Sequence, residues 1–82
     1  MDEKEINRLI GLRLAEIRKS RGISQRQLGE YLNISYQQIL KYEKAVDRIS
    51  AGKLFLCAEF LEVPVNEFFY HRAGCIDHPA IC

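Results

Sequence analysis

Two candidate helix starts lie close together in residues 24–43, which have the sequence SQRQLGEYLNISYQQILKYE. Ser24 is followed three residues later by Gln27, and Ser35 is followed at the same interval by Gln38. A Ser at the N-cap with a Gln three residues on is the pattern of a capping box, which satisfies free N–H groups in the first turn of a helix. The segment therefore predicts two short helices joined by a tight turn, which is helix-turn-helix geometry.

Apolar and polar side chains separate on these two helices. Asn33 is suited to the left-handed conformation that ends the first helix, and Ile39 and Tyr42 mark one buried stripe on the second, 35–43. The outward positions of the second helix are Tyr36, Gln37, Gln38, Lys41 and Lys44. Gln pairs with adenine, Lys reaches guanine acceptors, and an aromatic edge contacts the thymine methyl group. This pattern indicates a helix that contacts bases in the major groove.

Three further helices are predicted outside this segment. Residues 5–19 show helical apolar spacing, and Gly22 is placed to end that helix. Ser50 is expected to cap a fourth helix, and Pro64 to begin a short fifth one. The prediction is an all-α bundle of five short helices at 5–70 and an irregular tail at 71–82. The expected core consists of Ile10, Leu14, Ile17, Leu28, Ile39, Leu54, Ala58 and Leu61.

Charge is strongly segregated although the formal net charge is only +1. Residues 8–53 carry ten Lys and Arg against four Asp and Glu, whereas residues 1–7 and 54–82 are both net acidic. A basic middle suggests a face that meets a polyanion, and the alternative is a solvated surface of mixed charge.

Length and composition narrow the classes of protein. A chain of 82 residues makes at most one domain, and 48% hydrophobic with 28% charged residues is typical of a soluble globular chain. No apolar run approaches the roughly 18 residues of a membrane span. The acidic start, Met1–Glu5, lacks a signal sequence, and three cysteines make no disulfide framework, so we expect a cytoplasmic protein.

Residues 10–69 resemble the phage repressor/Cro-type helix-turn-helix family, often called XRE-like. The matching stretches are IGLRLAEIR at 10–18, RGISQRQLG at 21–29, NISYQQI at 33–39, YEK at 42–44 and LEVPVNEF at 61–68. The resemblance implies a sequence-specific, double-stranded-DNA-binding transcriptional regulator, most often a repressor. Such proteins act as homodimers on two half-sites about one helical turn of DNA apart. It implies no cofactor, no metal and no small-molecule ligand.

The resemblance also assigns roles to individual positions. It implies that Gln25 contacts phosphate and that Ser35 and Tyr36 form the N-terminal edge of the recognition helix. Gln37 and Lys41 match positions that contact bases, and Gln38 lies beside them. Lys44 and Arg48 match positions that contact the DNA backbone. Arg18 and Glu43 match a partly buried ion pair between the first helix and the end of the recognition helix. Gly29 stands where the family commonly has Ala, which costs roughly 1 kcal/mol of helix propensity.

Two other functions remain open from the residues alone. One is a protein-interaction module, for instance an antitoxin-like subunit, whose basic face binds an acidic partner. The other is metal or redox chemistry in the tail, where His71, Cys75, His78 and Cys82 are possible zinc ligands without the usual tight pairs. Enzymatic activity is not expected, because the serines are explained as caps and no catalytic constellation competes.

Self-association is expected through the C-terminal part of the domain. Phe68, Phe69 and Tyr70 follow one another, so they cannot all face one core. At least one of these side chains should then be exposed, and an exposed aromatic beside apolar neighbours is a typical interface feature.

Overall fold

Four α-helices and a closing 3-10 helix make up the fold. The computed structural model describes residues 1–69 in full, together with the backbone of residues 70–71 and 74–75. The elements in chain order are α1 (Glu3–Ser20), α2 (Gln25–Leu32), α3 (Tyr36–Glu43), α4 (Ala51–Leu61), the 3-10 helix (Val65–Phe69), β1 (Tyr70–His71) and β2 (Gly74–Cys75). The all-helical class is thus confirmed, although the fifth predicted helix is of the tighter 3-10 type.

A two-residue antiparallel ladder follows the last helix and was not predicted. Tyr70 pairs with Cys75, and His71 pairs with Gly74. Strands are recognised in a sequence by alternation over four to eight residues, and two residues are too few to carry that signal. The remainder of the predicted tail lies outside the described residues.

Capping side chains fix the helix boundaries. At Ser24 the capping box is complete: its Oγ accepts from the backbone N–H of Gln27 at 3.0 Å, and its own N–H donates to Gln27 Oε1 at 2.7 Å. Asn33 ends α2 with φ 60°, and Gly22 follows α1 with φ 69°, as predicted. The first helix starts two residues earlier than expected, because Asp2 and Glu5 form another capping box there. That turn carries charged rather than apolar residues, so periodicity alone missed it.

The core is built from the inner faces of all five helices. Seven of the eight predicted core residues are buried, and the exception is Ile10, which is half-buried while its neighbour Leu9 is buried. Side chains at adjacent helix positions point in directions about 100° apart around the helix axis. Whether Leu9 or Ile10 is buried therefore depends on the rotation of α1 relative to the core. Tyr42 is buried, as the stripe on α3 predicted, and Cys57 is buried on the inner side of α4. Leu9, Leu32 and Phe68 are buried as well.

The C-terminal aromatic residues face mainly inward. Phe68 is completely buried, and Phe69 packs partly buried against the core. The side chain of Tyr70 lies outside the described part. The self-association surface predicted there therefore has no exposed aromatic side chain within residues 1–69.

Two glycines let the backbone of α3 and of the turn before it approach its neighbours closely. A Cβ on Gly11 would lie 2.5 Å from the carbonyl oxygen of Tyr42 and 2.6 Å from that of Glu43. A Cβ on Gly29 would lie 2.8 Å from the carbonyl oxygen of Ile34. Even Ala at these positions requires the backbone to move, which explains why Gly29 stands where Ala is common. The close packing of α1 and α2 against α3 therefore depends on glycine, which has no Cβ atom, at positions 11 and 29.

We predict that Gly11→Ala destabilises the protein by about 1–3 kcal/mol, because overpacking against carbonyl groups outweighs the better helix propensity of Ala. Gly52→Ala is the matched control. Gly52 also lies in a helix, but a methyl group added there would have no neighbouring atom within 4 Å, so Ala should stabilise the protein by up to about 1 kcal/mol. Urea unfolding followed by circular dichroism measures both changes. Equal stability of the two variants would contradict the close approach.

Candidate nucleic-acid interface

One side of α3 is exposed in the part of the chain that the structure describes. Gln37, Lys41 and Lys44 are exposed, whereas Ile39 and Tyr42 on the opposite side are buried. Intervals of four and three residues place the three polar side chains on one helical face. Within residues 1–69 these three side chains form no hydrogen bond or ion pair. Their donors and acceptors are therefore available to a ligand outside the chain.

A buried ion pair holds the C-terminal end of α3. Arg18 donates from Nε to Glu43 Oε2 at 2.6 Å and from Nη2 to Oε1 at 3.2 Å. The side chains are only 9% and 6% exposed. Such a two-point contact fixes orientation as well as distance. The structure therefore contains the pair that the family resemblance implied, and it joins α1 to the last residue of α3.

Two further hydrogen bonds complete this network. The third guanidinium nitrogen of Arg18, Nη1, donates to the carbonyl oxygen of Ile23 at 2.9 Å. Gln25, the first residue of α2, donates from Nε2 to Glu43 Oε1 at 3.0 Å. The network thus joins α1, the start of α2 and the end of α3. Such additional hydrogen bonds offset part of the free-energy cost of burying two charged groups.

Gln25 therefore has a structural role that sequence reasoning did not foresee. Its side chain was predicted to contact phosphate, but one amide hydrogen is already donated to Glu43. At most one amide hydrogen remains for a phosphate oxygen. The first position of α2 lies beside the last position of α3, and that adjacency is a property of the folded pair of helices rather than of either sequence segment.

Gln38 differs from the prediction in its side-chain contact. Ser35 accepts from the backbone N–H of Gln38 at 3.2 Å, as an N-cap should. The side chain of Gln38 does not return to Ser35. Its Nε2 instead donates to Asp47 Oδ2 at 2.9 Å, so the second half of the predicted capping box is wrong. Gln38 keeps its amide oxygen as an acceptor, and Asp47 holds the amide in that orientation.

Tyr36 has a partner that sequence reasoning missed. The guanidinium of Arg26, on α2, lies 4.2 Å from the centre of the Tyr36 ring. This cation–π contact orients the half-buried ring at the N-terminal edge of α3. The sequence alone indicates no specific contact for Arg26. No spacing rule connects residues on two different helices, so only the folded turn reveals the contact.

The loop after α3 carries Arg48 into an exposed ion pair. Its Nη1 lies 2.7 Å from Glu3 Oε2, and the two side chains are 74% and 72% exposed. A pair in that setting contributes about 0–1 kcal/mol, so a phosphate oxygen can replace the carboxylate. The acidic start of α1 therefore lies beside the basic loop that was predicted to meet the DNA backbone.

Arg13 belongs to the scaffold rather than to this face. Its Nε donates to the carbonyl oxygen of Glu67 at 3.0 Å, and its other nitrogens reach the carboxylates of Glu67 and Glu16. These contacts join α1 to the 3-10 helix. The family resemblance did not indicate this contact between Arg13 and Glu67, which are 54 residues apart in the sequence.

Cys57 is a core residue. It is completely buried, and that burial, with a smaller contribution from the charge of Glu43, raises the pKa of its thiol to about 12. The thiol therefore stays protonated near neutral pH, where thiolate chemistry is unavailable to it. Among the described residues, no group of three or more His, Cys, Asp or Glu is placed to hold a metal ion. The side chains of His71, Cys75, His78 and Cys82 lie outside that part of the chain.

No helix in the described ranges is both long and apolar enough to span a membrane.

Comparison with known sequences gives consistent matches over the helical part. The helix-turn-helix family HTH_3 matches residues 14–68. An uncharacterized HTH-type transcriptional regulator of Rickettsia conorii is 41% identical over 66 residues, covering 80% of this chain and 53% of the relative. One of Sinorhizobium medicae is 43% identical over 65 residues, covering 79% and 47%. The chain thus spans about half the length of the curated relatives it matches.

Solved structures show the same fold. The restriction-modification controller protein C.AhdI from Aeromonas hydrophila superposes with a TM-score of 0.71 at 24% identity, covering 76% of this chain and 94% of that protein. The DNA-binding domain of BldD superposes with a TM-score of 0.72 at 25% identity, covering 82% and 97%.

We predict that Arg18 and Glu43 are strongly coupled in stability. Because the pair is buried and bidentate, a double-mutant cycle with Arg18→Ala and Glu43→Ala should give a coupling energy of about 0.5–3 kcal/mol. The exposed pair of Arg48 and Glu3 is the control, for which the same cycle should give about 0.5 kcal/mol or less. Urea unfolding of each set supplies the free energies. If the two single substitutions lower the free energy of unfolding additively, Arg18 and Glu43 do not stabilise the position of α3 through each other.

Proposed function

The chain belongs to the helix-turn-helix family HTH_3, and on that premise we propose that it is a sequence-specific DNA-binding transcriptional regulator. In this proposal, α3 lies in the major groove of double-stranded DNA. The observation that carries it is the exposed face of Gln37, Lys41 and Lys44 on a helix whose other side is buried and whose end is fixed by a buried ion pair. That arrangement holds the three polar side chains in a fixed position, with no hydrogen-bond partner among residues 1–69.

Base contacts come from Gln37, Gln38 and Lys41. Gln37 lies in the first turn of α3 and can pair through both amide groups with adenine. Lys41 lies one turn later and can donate to guanine acceptors. Gln38 presents an amide oxygen, since its amide nitrogen is bonded to Asp47, and an acceptor of this kind suits the amino group of adenine or cytosine.

Phosphate contacts come from the two ends of the helix. Lys44 caps the C-terminal end of α3 and Arg48 follows in the loop, and both are exposed cations. At the other end, Ser35 is exposed and Tyr36 is oriented by Arg26. Contacts of this class set position and affinity but carry no direct sequence information.

We further propose that two copies bind together, as a homodimer on two half-sites about one helical turn apart. Repression is the direction of regulation we propose, because a domain bound across a promoter blocks other proteins from the same DNA. The family is one of DNA-binding regulators and is not usually enzymatic, so we propose no catalytic role. A cytoplasmic location follows from this function.

The function is tested by selecting bound duplexes from a random DNA pool. The proposal predicts enrichment of an inverted repeat whose half-site centres lie about 10 base pairs apart. If the pool shows no enrichment, and duplex DNA does not bind at low salt, the regulator proposal fails and a protein-interaction module becomes the better account.

We predict that Gln37→Ala and Arg48→Ala weaken binding in different ways. Loss of a base contact at Gln37 should cost about 1–3 kcal/mol on the selected duplex and leave random DNA nearly unaffected. Loss of a phosphate contact at Arg48 should weaken both duplexes alike and lower the salt slope by about one. Binding isotherms at several salt concentrations separate the two outcomes.

Glu3→Gln is the matched control for the Arg48 variant. It removes the competing carboxylate at 2.7 Å and should therefore strengthen binding to both duplexes. If Gln37→Ala weakens selected and random DNA equally, Gln37 does not contact a base edge.

A further inference from the structure

Asp47 is an exposed acid in the segment that we assign to DNA. Residues 33–50 contain two acids, Glu43, which is buried in an ion pair, and Asp47, which is exposed. Within residues 1–69, Asp47 takes part in no ion pair, and the next residue, Arg48, is the one assigned to phosphate. A carboxylate beside a phosphate-binding cation repels DNA and lowers the affinity for any duplex. The contact that Asp47 does make shows what offsets this loss.

The backbone of the loop determines where Asp47 lies. Ala45 follows the C-cap of α3 with φ 58°, and its N–H donates to the carbonyl oxygen of Tyr42 at 3.1 Å. The N–H groups of Val46 and Asp47 both donate to the carbonyl oxygen of Lys41, at 2.9 and 3.4 Å. This pattern is a Schellman motif, which reverses the chain at the end of a helix. The loop therefore folds back along α3 and brings the carboxylate to a side chain in the first turn of that helix.

The contact between Gln38 and Asp47 determines which way the amide of Gln38 faces. An ionised carboxylate only accepts hydrogen bonds, so the atom that lies 2.9 Å from Asp47 Oδ2 is the amide nitrogen. The opposite orientation would bring two acceptor oxygens together. Without Asp47, the amide can turn over and present either its oxygen or its nitrogen to a base. Asp47 thus removes one of two orientations of a side chain on α3.

We propose that Asp47 is a positioning residue that makes Gln38 select adenine or cytosine, and reject guanine and thymine, at one position of each half-site. The inference rests on the proposed function, in which α3 lies in the major groove. Adenine and cytosine present an amino group there, whereas guanine and thymine present the acceptors O6 and O4. The fixed amide oxygen of Gln38 accepts from the amino group of the first two bases and meets another acceptor on the other two.

This role gives Asp47 opposite effects on affinity and on selectivity. Its charge weakens binding to every duplex, whereas its hydrogen bond strengthens the preference for one class of base. Loss of the carboxylate should therefore raise the affinity for random DNA and lower the discrimination at one base pair of each half-site. A residue that only supported the loop would, when removed, lower the affinity for all duplexes alike.

The test uses the full 82-residue chain and a duplex selected from a random pool. The base that Gln38 contacts is identified as the one at which Gln38→Ala removes the preference. There, the wild-type chain should bind adenine or cytosine at least about tenfold more tightly than guanine or thymine. Asp47→Ala should reduce that ratio to about threefold or less, because the amide is then free to turn over, and should strengthen binding to random DNA.

Two controls separate the orientation of the amide from the change in charge. Glu3→Gln removes another exposed carboxylate near the same loop and should strengthen binding to all duplexes without changing the base ratio. In the Gln38→Ala background, Asp47→Ala should still strengthen binding to random DNA but should not affect base preference. Ala at position 47 keeps the backbone N–H that donates to Lys41, and the side chain that it replaces is exposed, so the loop should stay folded.

The orientation of Gln38 is also measured without DNA. In NMR spectra of the isotope-labelled free chain, the side-chain amide signals of Gln38 should shift in Asp47→Ala and stay in place in Glu3→Gln. Unchanged signals in Asp47→Ala overturn the proposal, and so does a base ratio that this substitution leaves unaltered. A wild-type chain that selects no sequence contradicts the proposed function and, with it, any role of Asp47 in base selection, whereas the amide signals report separately on the contact.

Discussion

The buried pair of Arg18 and Glu43 is the interaction on which the position of α3 depends. Its two contacts, at 2.6 and 3.2 Å, join the last turn of α1 to the last residue of α3, the helix that we assign to the major groove. Burying two charges costs several kcal/mol per ion unless every donor and acceptor is satisfied. Ile23 and Gln25 supply the remaining partners, so the fold accepts the pair and gains a fixed orientation.

Close backbone packing works together with that pair. Gly11 allows α1 to approach the carbonyl groups at the end of α3, and Gly29 allows α2 to approach the turn before it. Helix α3 is thus fixed by contacts on its inner side and at both ends, while Gln37, Lys41 and Lys44 are exposed. A polar side chain on a fixed helix loses less conformational freedom in binding than one on a mobile loop, which favours selective contacts.

Much of this arrangement follows from local sequence, and the rest depends on the folded chain. The cap at Ser24 and the left-handed turn at Asn33 are local chemistry, and both were predicted. The side chain of Gln38 was expected to complete a cap but donates to Asp47 in the following loop. The contact of Arg26 with the Tyr36 ring joins two helices, so no local pattern indicates it. Helical periodicity identified the inner side of α4, where Leu54, Ala58 and Leu61 are buried.

We propose above that the fixed outer face of α3 contacts bases in the major groove. The most direct measurement is methylation interference on a duplex selected for binding, since dimethyl sulfate modifies guanine N7 in the major groove and adenine N3 in the minor groove. If α3 lies in the major groove, methylation of guanines in each half-site blocks binding, and Lys41→Ala removes this sensitivity at one guanine. Interference confined to adenines would place the chain in the minor groove and contradict base contacts by α3 in the major groove.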